Sequence, residues 1–195
     1  MIEVRMHGRG GQGAVLASLV LAHAAHRRGY HVQVFPEFGV ERRGVPVTAF
    51  ARLDRKPIRL RTRVTSPDHV LILDPALAHY LPLTDGLKPG GSVVMNATSA
   101  QALAPFARTF RLGWVDGSAI AARHKIGTTT APIVNTTMIG AFARMTGLVG
   151  KEEIAVAMTE LFGAKADVNC VAAYEAFDQL EIVNEPAALA AGTRG

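Results

Sequence analysis

The chain has 195 residues, of which 49% are hydrophobic and 19% charged, a composition that suits one full α/β core and excludes a disordered protein. Its single cysteine, Cys170, excludes an intrachain disulfide and a cysteine-ligated iron–sulfur cluster built from this chain alone. The apolar runs are too short to span a bilayer, and the N-terminus has no signal-peptide pattern, so the sequence predicts a cytoplasmic protein without membrane contact.

Basic residues are concentrated in one segment. Between Arg42 and Arg63 there are eight basic residues and one acid, Asp54, so this segment has a net charge of +7 against +5 for the whole chain. Such a concentration predicts an anionic partner, either an acidic protein chain, phosphates or nucleic acid. Aromatic residues make up only 6% of the chain and are not interleaved with the basic ones, so we expect no nucleic-acid partner.

The first predicted elements are a strand, a glycine turn, a helix and a second strand. Residues 2–6 alternate apolar and polar side chains, and residues 13–28 repeat apolar side chains at helical spacing. Residues 31–35 form the next strand, which we expect Pro36 to stop. This order is typical of the opening of a parallel βαβ unit.

The middle of the chain predicts an inserted antiparallel hairpin, formed by residues 47–53 and 58–63 around a turn at 54–56. Further strands are predicted at 70–73, 92–95 and 109–112, and helices at 118–125, 134–146, 151–161 and 167–183. The predicted fold class is α/β: a single Rossmann-like domain with a mostly parallel sheet, the inserted hairpin and a helical C-terminal third. We expect this domain to span residues 1–185 and a flexible tail to span residues 186–195.

The turn after the first predicted strand has the form G-x-G-x-x-G. It consists of Gly8, Arg9, Gly10, Gly11, Gln12 and Gly13. Glycines let backbone N–H groups approach an anion closely, and the N-terminus of the following helix adds partial positive charge. The turn therefore predicts a ligand-binding loop, and a close-packed turn without a ligand is the alternative. An NAD site is disfavoured because the acid expected at the end of the second strand is displaced to Glu37, beyond Pro36.

The segment 36–46 is the second candidate for binding. It directly follows the strand edge where α/β folds bind ligands, and it contains two acids, two glycines, two prolines and the adjacent pair Arg42 and Arg43. Neighbouring guanidinium groups can hold a phosphate or a carboxylate through paired hydrogen bonds. The alternative is a solvated loop with internal ion pairs, for instance between Glu41 and Arg43.

Residues 6–13, MHGRGGQG, and 35–46, FPEFGVERRGVP, together resemble the gamma subunit of 2-oxoacid:acceptor oxidoreductases. This is the pyruvate:ferredoxin oxidoreductase group, with relatives that act on aromatic 2-oxo acids of the phenylglyoxylate type. Shorter stretches at 56–59, 68–74 and 132–136 agree, so the resemblance extends from the first strand to about residue 180.

The resemblance implies one subunit of a larger oxidoreductase. The family converts a 2-oxo acid and coenzyme A to an acyl-CoA and CO2, with thiamine diphosphate, Mg and [4Fe–4S] clusters on other subunits, and it reduces ferredoxin. The implied partners are alpha, beta and ferredoxin-like delta subunits; aromatic-acid relatives can pass electrons to NAD through a further flavin subunit. This chain is expected to be a non-redox subunit, inactive alone and without its own cofactor, that supports assembly and the coenzyme A region.

The resemblance also implies which residues contribute to binding, although it implies no catalytic residue or metal ligand. They are Gly8, Arg9, Gly10, Gly11, Gln12, Gly13, Glu37, Arg42, Arg43 and Asn135. We expect Arg9 and Gln12 to point out of the loop as donors, and residues 52–63 to dock on an acidic partner surface. Two alternatives stay open: a free-standing NAD(P)-binding oxidoreductase domain, and a non-catalytic scaffold with an empty glycine turn.

Overall fold

The computed structural model describes residues 1–37, 44–106, 110–128 and 130–184. The strands are β1 Ile2–Arg9, β2 His31–Glu37, β3 Pro46–Asp54, β4 His69–Ile72, β5 Ser92–Asn96, β6 Arg111–Val115, β7 Gly127–Thr128, β8 Ala131–Pro132 and β9 Glu181–Asn184. The α-helices are α1 Ala14–Arg27, α2 Gly117–Arg123, α3 Asn135–Thr146, α4 Lys151–Phe162 and α5 Ala166–Gln179, and 3₁₀ turns occur at Pro75–His79, Ala100–Phe106 and Gly163–Lys165. The predicted tail, residues 186–195, lies outside the described residues.

Seven strands form one sheet in the order β2-β3-β1-β4-β5-β6-β9, and β7 and β8 form a separate antiparallel pair. Strands β1, β4, β5 and β6 are parallel neighbours. Strand β3 is antiparallel to both β1 and β2, so β2 runs in the same direction as β1 without pairing with it. The prediction of a mostly parallel α/β sheet is confirmed, because only β3 and β9 oppose the common direction in this sheet.

The predicted hairpin partner is wrong. Strand β3 pairs with β2, aligning Asp54 with His31, and residues 58–63 form no strand. Side chains of the sheet instead donate hydrogen bonds to the backbone carbonyls of Leu60 and Thr62. Pro36 does not stop β2, since β2 is an edge strand, where a missing N–H is tolerated.

The last predicted helix, residues 167–183, is too long. Helix α5 ends at Gln179, and Leu180 has extended backbone angles, φ −58° and ψ 121°. The chain then continues as β9, which adds an antiparallel edge to β6 with Gly113 opposite Ile182. This long-range pairing overrides the local helical pattern.

Each face of the large sheet has its own apolar layer. On one face, Val4 and Met6 of β1 pack in a core to which all five α-helices contribute. On the opposite face, Val70 and Ile72 of β4 pack with leucines from the 3₁₀ turns and loops that follow β4 and β5. The carboxyl ends of the parallel strands are left at one edge between these layers, where ligands bind in α/β folds. Among the described residues, no helix is long and apolar enough to cross a membrane.

Candidate functional site

The glycine loop joins β1 to α1 at the carboxyl edge of the sheet. Gly10 N–H donates to the Val45 carbonyl at 2.9 Å, and Gly44 N–H donates to the Gly10 carbonyl at 3.2 Å. Gly11 and Gly13 have φ values of 97° and 79°, which favour glycine. The loop lies beside the carboxyl ends of β1 and β4. From these two adjacent strands the sheet extends in opposite directions, through β3 on one side and through β5 on the other.

Asp74, two residues beyond the end of β4, organises the loop. Arg9 Nε donates to Asp74 Oδ2 at 2.5 Å, and Gln12 Nε2 reaches the same oxygen at 3.4 Å. The other carboxylate oxygen accepts from Ala76 N–H at 2.9 Å and caps the following 3₁₀ turn. Arg9 and Gln12 thus both donate to a group outside the loop, and their shared acceptor is the Asp74 carboxylate beyond the end of the neighbouring strand.

The Arg9 side chain connects three segments. Besides Asp74, its Nη1 donates to the Gly44 carbonyl at 3.2 Å, and its guanidinium carbon lies 5.5 Å from the centre of the Tyr80 ring. Hydrogen bonding to Asp74 raises the pKa of Arg9 above its ordinary value. The side chain keeps 31% exposure, so it stays cationic and reachable from solvent while its position is fixed.

Asn135, the first residue of α3, meets the same loop from the helical side. It is 3% exposed, and its Oδ1 accepts from Thr136 N–H at 2.7 Å. A Cβ atom placed on Gly13 would lie 2.2 Å from Asn135 Nδ2. The structure thus brings Asn135 to the glycine loop and requires glycine at position 13 for both its φ and this close approach.

Asn135 also lines a cleft of about 440 Å³. Its walls combine apolar side chains, including Leu16, Ile126 and Phe162, with the exposed Lys125 and Lys165. Mixed apolar and cationic walls suit a ligand with both hydrocarbon and anionic parts. Sequence reasoning found Asn135 but missed both lysines, because they are distant in the chain and share no local pattern.

Glu37 lies at the same edge of the sheet but away from the loop. It aligns with Thr48 of β3, which aligns in turn with His7 of β1, so a whole strand separates Glu37 from β1. Its Oε2 pairs with Arg63 Nη2 at 3.1 Å. A dinucleotide site needs this acid on the strand next to the glycine loop, and β3 occupies that position. Arg42 and Arg43 lie outside the described residues.

His7 is a buried neighbour of the loop that sequence reasoning did not select. It is 8% exposed, and burial with the nearby positive charge of Arg5 lowers the pKa of His7 to about 3. Its Nε2 has no hydrogen-bond partner among the described residues. Arg5 itself donates from Nη2 to the Leu83 and Asp85 carbonyls at 2.9 and 2.6 Å, which fixes the chain after the Pro75–His79 turn against β1.

Residues 3–179 match the protein family described as pyruvate ferredoxin/flavodoxin oxidoreductase. The gamma subunit common to the pyruvate and ketoisovalerate oxidoreductases of Thermococcus kodakarensis is 47% identical over 183 residues, which cover 92% of this chain and 97% of that protein. The chain belongs to this family of oxidoreductases. It corresponds to their gamma subunit, and other subunits of such an enzyme are its partners.

Solved structures agree with this assignment. The pyruvate oxidoreductase subunit PORC of Thermotoga maritima is 31% identical with a TM-score of 0.80, and the match covers 94% of this chain and 98% of that chain. The 2-oxoglutarate:ferredoxin oxidoreductase of Magnetococcus marinus, solved with 2-oxoglutarate, coenzyme A and succinyl-CoA bound, has the same fold at 19% identity with a TM-score of 0.67. That match covers 91% of this chain and 30% of the longer one.

Proposed function

We propose that the chain serves in a complex that converts a 2-oxo acid and coenzyme A to an acyl-CoA and CO2, and that its own part is to form a wall of the coenzyme A site. Electrons leave the complex on ferredoxin, or on NAD where a further flavin subunit is present. The observation that carries the proposal is the glycine loop, which is fixed by Arg9 and Asp74 and open at Gly11. A Cβ atom on Gly11 would meet no described atom within 4 Å.

The chemistry of the loop and cleft suits coenzyme A, which carries phosphates at one end and a long, weakly polar arm at the other. Backbone N–H groups and the cationic Arg9 favour phosphate at the loop. Lys125 and Lys165 offer two more positive charges at the cleft, whose apolar wall suits the arm. The fold that this chain shares with the coenzyme-A-bound Magnetococcus enzyme is a second line of support.

Thiamine diphosphate, Mg and the [4Fe–4S] clusters are proposed to lie on the alpha, beta and delta partners. The donor set of this chain does not fit a [4Fe–4S] cluster, since one thiol cannot hold one. Burial and the nearby Asp167 carboxylate raise the pKa of Cys170, which keeps that thiol protonated. Within the described residues, no three His, Cys, Asp or Glu side chains are grouped as metal ligands.

The role proposed for this chain is therefore binding and orientation. The Asp74 carboxylate holds the Arg9 guanidinium at the mouth of the loop, and Asn135 supports the loop from behind through Gly13. Ordering these groups before the ligand arrives lowers the entropy that binding must remove. Coenzyme A would then be presented to the subunits that carry out the carbon chemistry.

A pair of variants at Gly11 tests this role. Gly11→Asp and Gly11→Asn impose the same backbone strain, but only aspartate adds a negative charge beside the proposed phosphate position. The complex should be purified anaerobically through a tag on this chain. We expect the KM for coenzyme A to be about tenfold higher for Gly11→Asp than for Gly11→Asn, because like charges repel at close range. Thiamine diphosphate content and the KM for the 2-oxo acid should stay equal.

Equal coenzyme A dependence in the two Gly11 variants would remove the ligand role and leave a scaffold with an empty glycine turn. The other alternative, a free-standing NAD(P)-binding domain, is disfavoured by β3, which separates β1 from the acid at the end of β2. Tight NAD(P) binding by the purified chain would restore it.

A further inference from the structure

Residues 55–63, here called the arginine strap, lie against the pair of strands β2 and β3 without joining the sheet as a strand. Two backbone carbonyls fasten the strap: Leu60 O accepts from Gln33 Nε2 at 2.9 Å, and Thr62 O accepts from Arg52 Nη2 at 2.7 Å. The next apolar residue, Val64, is buried. The strap is thus held at alternate residues.

Arg52 is the central residue that holds the strap. It belongs to the segment 52–63 that is expected to dock on a partner, but it is only 1% exposed. Arg52 Nε donates to Glu3 Oε1 at 2.8 Å, and Arg52 Nη1 donates to Gln33 Oε1 at 3.1 Å. The guanidinium carbon lies 5.2 Å from the centre of the Phe35 ring. Because its charge is neutralised by Glu3, Arg52 shapes the strap and adds nothing to its outer surface.

The outer surface of the strap is strongly cationic. It carries Arg55, Lys56, Arg59, Arg61 and Arg63 and contains no acid. Arg63 pairs with Glu37, and Arg55 lies over the Tyr30 ring, 3.9 Å from its centre. Arg59 and Arg61 are exposed, and neither has an ion pair with any residue that the structure describes.

Leu60 lies between these two arginines and is 46% exposed, even though its carbonyl is fixed to the sheet. Arginine is enriched at protein interfaces and among binding hot spots, and the exposed Leu60 side chain between two arginines adds apolar area that a partner can bury. Guanidinium groups bind carboxylates through two parallel hydrogen bonds. The strap therefore offers the guanidinium groups of Arg59 and Arg61 to carboxylates, on a backbone that hydrogen bonds at Leu60 and Thr62 already hold.

We propose that the arginine strap is a docking surface for a carboxylate-rich face of another subunit of the same oxidoreductase. Arg59 and Arg61 pair with carboxylates of that face, and Leu60 is buried between them on contact. The inference rests on the proposed function only in requiring assembly with other subunits, and it is independent of coenzyme A binding. Nucleic acid is the less suitable occupant, since residues 55–63 contain no aromatic side chain on which bases could stack.

The test uses the whole complex, purified anaerobically through a tag on this chain. Arg59→Glu combined with Arg61→Glu reverses the two unpaired charges; the Arg59→Lys, Arg61→Lys pair keeps them. Arg123→Glu with Arg144→Glu gives the same change in net charge at exposed positions of α2 and α3, outside both the strap and the cleft. We expect only the Arg59→Glu, Arg61→Glu chain to bind its partner subunits more weakly, by about tenfold or more at low salt. As the salt concentration rises, the affinity of the wild-type chain should fall toward that of this variant, because salt screens the charges.

Leu60→Ala separates packing from charge in the same assay. It should weaken assembly at both low and high salt, because the lost contact is apolar and is not screened. Equal subunit recovery and equal salt dependence for wild type and the Arg59→Glu, Arg61→Glu chain would overturn the docking surface. So would binding of a labelled single-stranded oligonucleotide that is lost in this variant while assembly is unchanged.

Failure of the two proposals can be told apart. If no partner subunit is recovered even with the wild-type chain, the proposed function fails. If partners are recovered equally with every strap variant and the Gly11 variants still differ in KM for coenzyme A, only the docking surface fails. If strap variants lose partners while the Gly11 variants are alike, only the coenzyme A role fails.

Discussion

Arg9 and Asp74 close the junction between two parallel strands: the last residue of β1 donates from Nε to a carboxylate oxygen just beyond β4, at 2.5 Å. Since both residues are at the edge where α/β folds bind ligands, this pair sets the shape of the candidate site before any ligand arrives. The same carboxylate caps the Pro75–His79 turn, so the loop and the turn share one anchor.

A double-mutant cycle measures this coupling. Arg9→Ala, Asp74→Ala and the double variant should give an interaction energy of about 0.5–1 kcal/mol in urea unfolding, the usual range for a partly exposed pair. Asp74→Ala should be more destabilising than Arg9→Ala, because it also removes the cap on Ala76 N–H. Additive single effects would show that the pair does not hold the loop.

Gly13→Ala should be among the most damaging small substitutions in the chain. The residue has φ 79°, and the added methyl group would overlap Asn135 Nδ2. We expect a loss of about 2–4 kcal/mol in the free energy of unfolding, from strain and overpacking together. Gly11→Ala has the same sign of φ but open space around it, so it should lose only about 1 kcal/mol.

Asn135→Ala, combined with Gly13→Ala, supplies the control for that overlap. Removing the Asn135 amide should relieve the clash but not the backbone strain. The loss of stability in the double variant should therefore be smaller than the sum of the losses in the two single variants. Thermal unfolding of the four chains decides this, and strict additivity would contradict the close approach.

The stability of the chain should fall on mild acidification. Burial lowers the pKa of His7 to about 3 and that of His69 to about 4, whereas both are near 6.5 in the unfolded chain. Below pH 6.5 the unfolded chain therefore binds protons that the folded chain does not. The free energy of unfolding should decrease by up to about 2.7 kcal/mol per pH unit between pH 6.5 and 5, before carboxylates titrate.

His7→Gln and His69→Gln each remove one of the two imidazole groups that take up a proton on unfolding. Each should reduce that slope by up to about 1.4 kcal/mol per pH unit in chemical denaturation at matched ionic strength. The His69 variant also loses the 2.8 Å contact between Nδ1 and Ser92 Oγ, so its slope rather than its absolute stability is the readout. An unchanged slope in both variants would contradict neutral, buried histidines.

Arg52→Met should destabilise the chain by about 3–5 kcal/mol, because it leaves Glu3, Gln33 and the Thr62 carbonyl without their shared donor. Arg61→Met is the matched control on the exposed side of the strap, and it should change stability by no more than about 0.5 kcal/mol. Urea unfolding of both chains tests the contrast. Similar losses at the two positions would mean that the buried network does not fasten the strap.

Much of the fold could be predicted from local sequence patterns. The β1–glycine loop–α1 unit could be read from the sequence because helical spacing and glycine positions are local properties. The position of β3 could not, since its neighbours β1 and β2 are chosen by long-range pairing. Residues 58–63 alternate apolar and polar side chains as a strand does, but they form no strand. The carbonyls of Leu60 and Thr62, which a strand would use in sheet hydrogen bonds, accept instead from the side chains of Gln33 and Arg52.

The candidate site was also predictable only in part, because only some of its residues belong to one local motif. The glycines of the loop stand in one short motif, whereas Asp74, Lys125 and Lys165 join the site only through the fold. Asp74 was visible only as an acid before a proline at a strand end, a pattern that fits a helix cap as well as it fits an ion pair. Its second contact, with Arg9, depends on the parallel pairing of β1 with β4.

The insertion of β3 between β1 and β2 also dictates an order of assembly during synthesis. Strand β1 hydrogen-bonds only to β3 and β4 in the large sheet, and both are made later than β2. A nascent chain that ends after β2 holds two strands with no ladder between them, so the first βα unit waits for residues 46–72. The N-terminal strand therefore has no neighbour in the sheet until β3 is made, and the glycine loop takes its final shape only when the chain beyond β4 supplies Asp74.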